Sequence, residues 1–298
     1  MRQKLPALFR LLCILMGVGL LLYPSLSTYL SEVNGSQATT AYDSLVEQAA
    51  EEEIDTVFEA AQAYNRQLME YNGFEAPRTD VNGVPVGLEH YRELLDVDGT
   101  GMMGYISIPA LGETIPVYHG TDESVLQVGI GHVENTSLPV GGASTHAALS
   151  GHRGLPTASL FTNLDQLEVG DKFYIRILNR TMAYEVDQIL VVLPEETEEL
   201  AIQEGKDFVT LITCTPYGVN SHRLLVRGTR IEYTPSEDGS LDGFEEKAQG
   251  SFLARIPMQY QHLLLGVVLI IGFIILRWIV LSIRKRIKKR GNCEHEQN

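Results

Sequence analysis

Seven short runs of β-branched and aromatic residues, separated by turn-forming residues, fill the stretch from 104 to 233. They lie at 105–108, 115–118, 147–150, 172–178, 182–192, 208–213 and 224–233. Short strands at this spacing are typical of a sheet that closes on itself. The sequence therefore predicts a mainly β domain over residues 100–233, built as a closed or nearly closed barrel. Within it, only 159–167 has the pattern of a helix.

The polar stretch before this domain divides into a helical part and a loop. Residues 43–71 carry apolar side chains at helical spacing and acidic residues in the first turns, with Asp43 or Ser44 as a cap, so they predict a helix. Residues 72–98 carry three glycines and two prolines, and a loop of this length often covers a functional site. Residues 28–99 are expected to form an N-terminal helix followed by a candidate lid.

Two apolar segments flank these regions, one near each end of the chain. Residues 11–23 follow Arg2, Lys4 and Arg10, which is the pattern of a signal peptide or a signal anchor within residues 1–27. Cleavage and retention both stay open, because Ser-Leu-Ser at 25–27 forms only a modest cleavage site. Residues 263–283, interrupted only by Arg277, are long enough to cross a membrane as a helix.

A basic run at 284–290 directly follows the second apolar segment. Short basic segments beside a membrane span stay in the cytoplasm, so residues 284–298 are predicted to be a cytoplasmic tail. The polar middle of the chain then lies outside the cell, and both termini are cytoplasmic if the N-terminal segment is retained. Residues 234–262, rich in Ser, Gly, Asp and Glu, are expected to form a polar tether.

The part of the chain between the two apolar segments is strongly acidic. Residues 24–262 contain 13 Lys and Arg against 36 Asp and Glu. Such a charge argues against binding nucleic acid, and it suits either solubility alone or a basic partner.

Cys214 is the only cysteine in this outer part, so it has no partner there for an intramolecular disulfide. A thiol that attacks a carbonyl needs a base or a positive neighbour, and the oxyanion that forms needs donors. The runs at 208–213 and 224–233 predict a hairpin in which Cys214 and Arg223 face each other. His152 follows a predicted strand in Ser-Gly-His-Arg-Gly and is the favoured base.

The other histidines of the domain are weaker candidates. His222 is close to Cys214 in sequence, but it neighbours Arg223 and points to the opposite face of a strand. His119, His132 and His146 are expected to be structural or to line a pocket. None of them has the spacing of a metal-binding pair, so the sequence predicts neither a metal nor another cofactor.

These segments together resemble a known family. Thr-Leu-Ile-Thr-Cys at 210–214, followed by Arg223, resembles the signature of sortases, the cysteine transpeptidases of Gram-positive cell surfaces. Ser-Gly-His-Arg-Gly-Leu-Pro at 150–156 resembles the histidine segment of that family. Class C, the pilus-assembly sortases, is similar in finer detail, at 116–121, 131–132, 136–142 and 214–228 and in the C-terminal apolar span.

The resemblance implies a sortase β-barrel and a two-step acyl transfer. Cys214 would attack the Thr–Gly bond of a Leu-Pro-x-Thr-Gly-like sorting signal, and an amine, in this class typically a pilin lysine, would resolve the thioester. His152 would be the acid and base, and Arg223 would bind substrate and stabilise the oxyanion. The partners would be a pilin or surface protein and the membrane, and the protein is expected to be a monomer. Candidate pocket-lining residues are His132, Ser150, Leu211 and Thr213.

One segment departs from the class C pattern, and three alternative functions stay open. Class C sortases usually anchor a lid with an Asp-Pro-aromatic tripeptide, which residues 72–98 lack; Asp80 is the nearest acidic candidate. The alternatives are a sortase that anchors surface proteins to peptidoglycan, another cell-wall thiol transferase such as an L,D-transpeptidase, and a non-catalytic membrane-tethered adhesin. L,D-transpeptidases are typically associated with a Ser-His-Gly-Cys arrangement, and this arrangement is absent from the sequence.

Overall fold

The computed structural model describes residues 5–73, 75 and 90–234, together with positions 266 and 277. Asp80 and most of the predicted lid lie outside the described residues. So do the predicted tether at 234–262, the span at 263–283 and the tail at 284–298, apart from Thr234, Gly266 and Arg277. The described residues from Pro24 to Thr234 belong to one compact unit, which contains the β-rich domain.

The N-terminal region forms two helices, α1 (Leu5–Gln48) and α2 (Glu51–Asn72). The prediction of one helix capped at Asp43 or Ser44 is therefore wrong. Both residues lie inside α1, where the Ser44 hydroxyl donates to the carbonyl oxygen of Thr40 at 2.9 Å. The first helix ends at Gln48, and α2 begins three residues later with Glu51, Glu52 and Glu53. Negative charges are favourable at the N-terminus of a helix.

One described helix is long and apolar enough to cross a membrane, judged by length and composition. It is the part of α1 from Cys13 to Gln48. This agrees with a membrane attachment at the N-terminal end of the chain, as the sequence predicts.

Eight strands close into a barrel, which confirms the predicted closed barrel. The strands are β1 (Met102–Ile108), β2 (Glu113–His119), β3 (Ile130–His132), β4 (Thr145–Ser150), β5 (Lys172–Ile177), β6 (Arg180–Val192), β7 (Asp207–Thr215) and β8 (His222–Ile231). Around the barrel their order is β1-β2-β3-β4-β7-β8-β6-β5.

The sequence prediction differs from the structure at two places in the barrel. It missed β3, because a three-residue strand containing Gly131 gives no alternating pattern. The helix predicted at 159–167 is also wrong: the backbone at Leu160 has a φ of 40°, and only a single 3-10 turn forms, at Leu164–Gln166.

Both helices pack on the outside of the barrel through buried polar contacts. The Tyr42 hydroxyl in α1 donates to the carbonyl oxygen of Met103 at 2.7 Å and accepts from the backbone N–H of Leu178 at 2.8 Å. In α2, the side-chain amide of Asn65 pairs with both backbone groups of Leu138, at 3.0 and 2.7 Å. Every residue of β1 is buried.

Two strand pairs position the residues of interest at one end of the barrel. Strands β4 and β7 run parallel, with Ser150 opposite Ile212, so both end at the same edge. Strands β7 and β8 form an antiparallel hairpin in which Cys214 lies opposite Arg223. The predicted hairpin register is confirmed.

Candidate active site

His152 lies just after β4 and Cys214 near the end of β7, at equivalent positions along two neighbouring parallel strands. Each lies two residues beyond the paired residues Ser150 and Ile212. The backbone N–H of Gly151 donates to the carbonyl oxygen of Ile212 at 3.0 Å, which extends the pairing past the end of β4. The sheet therefore delivers the histidine and the thiol to the same edge of the barrel.

Thr213, in β7, adds a side-chain hydrogen bond between the ends of β7 and β4. Its hydroxyl donates to the carbonyl oxygen of Gly151 at 2.8 Å, and its side chain is buried. Leu211, two residues earlier, is fully buried in the hydrophobic core, while Ser150 is half-buried at the strand end. The structure thus gives Leu211 and Thr213 packing and hydrogen-bonding roles within the barrel rather than open positions in a pocket.

Arg223 is the cross-strand partner of the half-buried Cys214. One guanidinium nitrogen donates to the carbonyl oxygens of Asn220 and His222, at 3.3 and 3.1 Å. Within the described residues, no carboxylate pairs with Arg223, so its charge is available to an oxyanion or a substrate. His222 pairs with Thr215, one position farther along the hairpin.

His152 is held in a partly enclosed position. Its side chain is 28% exposed, and its backbone carbonyl accepts from the N–H of Phe161 at 3.2 Å. Its Nε2 atom is buried and makes no hydrogen bond within the described residues. A carboxylate oxygen of Glu123 lies 3.5 Å from Nε2.

Arg153 links the histidine segment to the cysteine segment, and the sequence interpretation missed it. Its side chain is only 9% exposed, and it donates to the Thr215 hydroxyl at 3.3 Å. It also forms an ion pair with Asp165, and its guanidinium carbon lies 5.8 Å from the centre of the Tyr217 ring. A charged residue directly after the histidine in the 150–156 motif was the available signal.

Two of the remaining histidines are neutral core residues. His132 is fully buried; its Nδ1 accepts from the Tyr91 hydroxyl and its Nε2 donates to the Ser137 carbonyl oxygen, both at 2.8 Å. Burial lowers the pKa of His132 to about 4 and that of His146 to about 4. Both nitrogens of His132 are occupied, so the structure gives it a structural contact instead of an open place in a pocket.

His119 fastens the segment that precedes the barrel. Its ring nitrogens lie 2.7 Å from the carbonyl oxygen of Leu94 and 2.9 Å from that of Gly101. Among the described residues, no group of three His, Cys, Asp or Glu side chains is arranged to hold a metal ion.

A family model described as the Sortase domain matches residues 106–231, which include His152, Cys214 and Arg223. The chain is 46% identical to sortase C1 from Streptococcus agalactiae, covering 66% of this chain and 100% of that one, with a TM-score of 0.62. This chain belongs to the sortase family.

Two further comparisons show how far this sortase resembles others. It is 43% identical to the Streptococcus pneumoniae sortase C, over 66% of this chain and 98% of that one, with a TM-score of 0.59. It is 31% identical over 135 residues to sortase A of Bacillus anthracis, over 45% of this chain and 62% of that protein. This sortase thus spans less than two thirds of the length of that curated relative, while it covers the solved class C domains almost completely.

Proposed function

We propose that this chain is a membrane-attached cysteine transpeptidase that polymerises pilins. The observation that carries the proposal is the convergence of three residues at one end of the barrel. Cys214 lies opposite Arg223 in the β7–β8 hairpin, and His152 follows the parallel strand β4 at the position equivalent to Cys214. A thiol, a base and a permanent cation are the groups that acyl transfer through a thioester requires.

In the first step, His152 takes the proton from the Sγ atom of Cys214. The thiolate attacks the threonine carbonyl carbon in the Thr–Gly bond of a Leu-Pro-x-Thr-Gly-like sorting signal. Arg223, which no carboxylate neutralises within the described residues, stabilises the oxyanion. The protonated His152 then donates to the leaving glycine amine, and the threonine remains attached to Cys214 as a thioester.

In the second step, the amine of a pilin lysine attacks the thioester. His152 takes a proton from that amine and passes it to Sγ as the carbon–sulfur bond breaks, so an isopeptide bond forms and the thiol is restored. The structure of the Streptococcus pneumoniae sortase C is described in terms of catalysis and pilin substrate specificity, which supports this acceptor class. The acidic outer part of the chain also attracts a cationic lysine acceptor.

The remaining parts of the proposal concern the membrane and the cover of the site. The apolar part of α1 and the apolar residues 263–283 would hold the barrel at the outer surface of the membrane. Residues 72–98 would act as a lid, with Asp80 as its acidic residue. The C-terminal part of this segment is anchored, because Tyr91 is buried against His132.

The test is to trap the acyl-enzyme. Incubating the purified protein with a Leu-Pro-x-Thr-Gly peptide should add the acyl fragment to Cys214, as read by mass spectrometry, and Cys214→Ala should abolish this. Cys13→Ala, which removes an exposed thiol in α1, should leave acylation intact. Absence of the thioester, even after deletion of residues 76–89, contradicts the enzymatic proposal.

The acceptor distinguishes the two sortase functions. A pilin with a sorting signal should form covalent ladders with the wild-type protein, and these should disappear with Cys214→Ala. If the thioester is resolved by the amine of a peptidoglycan precursor and never by a pilin lysine, the chain is a wall-anchoring sortase. Ladders that persist in cells carrying only Cys214→Ala support the non-catalytic alternative.

A further inference from the structure

Glu123 lies against the histidine of the proposed active site. It is the first residue of α3 (Glu123–Leu126), the single helical turn that follows β2. Its Oε2 atom lies 3.5 Å from Nε2 of His152, and its Oε1 atom accepts a hydrogen bond from the side-chain amide of Gln127. This helical turn is far from His152 in sequence, and only the closed barrel brings the two together.

The position of Glu123 is fixed from both sides of the turn. The backbone N–H of Leu126 donates to the carbonyl oxygen of Asp122 at 3.0 Å. One guanidinium nitrogen of Arg92 contacts the carboxylates of both Asp122 and Glu134, at 3.2 and 3.1 Å. The turn that carries Glu123 is therefore tied to neighbouring segments, although the Glu123 side chain is 73% exposed.

The charge states of the two side chains are complementary. The hydrogen bond from Gln127 is the main cause that lowers the pKa of the Glu123 carboxyl; desolvation opposes it, and the interactions with His152 lower the pKa further. Glu123 is consequently a carboxylate at neutral pH. A carboxylate can only accept a hydrogen bond, so it favours a proton on the Nε2 atom that it faces.

We propose that Glu123 is a positioning residue for His152, whose carboxylate holds the proton on Nε2 and leaves Nδ1 to take the thiol proton of Cys214. In this step the proton moves from Sγ to Nδ1, and the resulting imidazolium is stabilised by the carboxylate. The inference rests on the proposed function of Cys214 and His152. It deepens that function by adding a third group that sets the tautomer and the charge of the base.

The other charged or titratable groups at this end of the barrel include Arg153, Cys214 and Arg223. Arg153 is paired with Asp165, and Cys214 and Arg223 come from the β7–β8 hairpin. Among the described residues, Glu123 is the carboxylate in an ion-pair contact with His152. Loss of this one negative charge should therefore change the balance between the neutral and the ionic forms of the His152–Cys214 pair.

The experiment measures the alkylation rate of Cys214 by iodoacetamide as a function of pH in the full chain, with the modified peptide identified by mass spectrometry. Glu123→Gln should lower the rate at pH 7 by about two- to fivefold, the size expected for a partly exposed ion pair. The alkylation curve should move to higher pH, because less imidazolium is present to stabilise the thiolate. Glu123→Asp should restore part of the rate, and 1 M salt should reduce the difference.

Glu93→Gln is the matched control, since it removes the same charge from a carboxylate that pairs with a different histidine, His90, at 3.0 Å. Its alkylation curve should follow the wild type. If Glu123→Gln and Glu93→Gln give the same curve, the inference is overturned. The alkylation experiment uses no sorting peptide, so the two proposals can fail separately. An effect of Glu123 on alkylation, without thioester formation in the trapping experiment, contradicts only the proposed function. Thioester formation without an effect of Glu123 on alkylation contradicts only this inference.

Discussion

Cys214 and Arg223 are directly opposed on adjacent antiparallel strands, and the arginine is held above the hairpin turn by the carbonyl oxygens of Asn220 and His222. Side chains at opposed positions lie on the same face of a sheet. The hairpin therefore presents the thiol and the guanidinium to the same side. The backbone carbonyl contacts also restrict the guanidinium before any substrate binds, which lowers the cost of ordering it.

Arg223→Lys should lower kcat/KM for peptide cleavage by about a hundredfold or more, the usual cost of removing a donor to an oxyanion. Lysine keeps the charge but lacks the planar, multiple-donor geometry of a guanidinium. Arg227→Lys is the control on the same strand, where the arginine pairs with Asp187. Equal losses in the two variants, measured with one fluorogenic sorting peptide, would show that Arg223 has no special role.

Arg153→Met should lower kcat by about tenfold, because the bridge between the His152 and Cys214 segments is lost and their relative position loosens. The matched control is Arg180→Met. Arg180 also pairs with a carboxylate, Asp55, and lies 4.0 Å from the centre of the Phe58 ring, but it contacts neither segment. Both variants should unfold at lower urea concentration, and only Arg153→Met should slow turnover. A similar kcat for the two variants contradicts the bridging role.

Gly154→Ala should destabilise the fold by about 1–3 kcal/mol, since its backbone φ is +78° and an added Cβ would lie 2.9 Å from the Tyr217 ring. Gly170→Ala is the control with φ +99° and no atom within 4 Å, so it carries the backbone cost alone. In urea unfolding, adding Tyr217→Ala should recover part of the Gly154→Ala loss; no recovery would exclude the clash.

His146→Gln should make the fold less sensitive to acid. Burial lowers the pKa of His146 to about 4 in the folded protein, whereas its ordinary pKa, near 6.5, applies in the unfolded chain. Between these two pH values the unfolded chain therefore binds the proton more readily. Its contribution to stability is complete above that value and is lost as pH falls toward 4, by roughly 2–3 kcal/mol. Burial raises the pKa of Glu113 to about 7, so its contribution to stability grows as the pH falls. This opposing effect is the same in the wild type and in His146→Gln, so it cancels when the two are compared. Parallel curves of unfolding free energy between pH 7 and 4 would contradict the prediction.

Local patterns were enough to predict most strands and the Cys214–Arg223 pair. Strand alternation and a turn of fixed length determine the register of a hairpin, so that part of the site depends on neighbouring residues alone. The three-residue strand β3 and the wrong helix at 159–167 show where this fails. Both depend on how the strands on either side close the barrel, which leaves no periodic signal in the segment itself.

The contacts of Glu123 and Arg153 illustrate the other limit. Each side chain reaches a residue from a different segment, and the pairing depends on which strands become neighbours. A motif identifies His152 and its adjacent arginine as a unit, but it does not say which carboxylate or hydroxyl each one meets. The boundary between α1 and α2 is similar, because helical spacing continues on both sides of the break.

Cys214 and its base His152 come together through the parallel pairing of β4 with β7, which joins distant parts of the chain. Gly151 and Thr213, which join the two strand ends, are 62 residues apart, whereas the cysteine and its arginine share one hairpin. The chain entropy of closing a long loop opposes contacts between distant segments, so we expect them to form later in folding than the hairpin. We therefore expect a newly made chain to carry a thiol without a base, and acyl-transfer reactivity to arise only when barrel closure completes the native state.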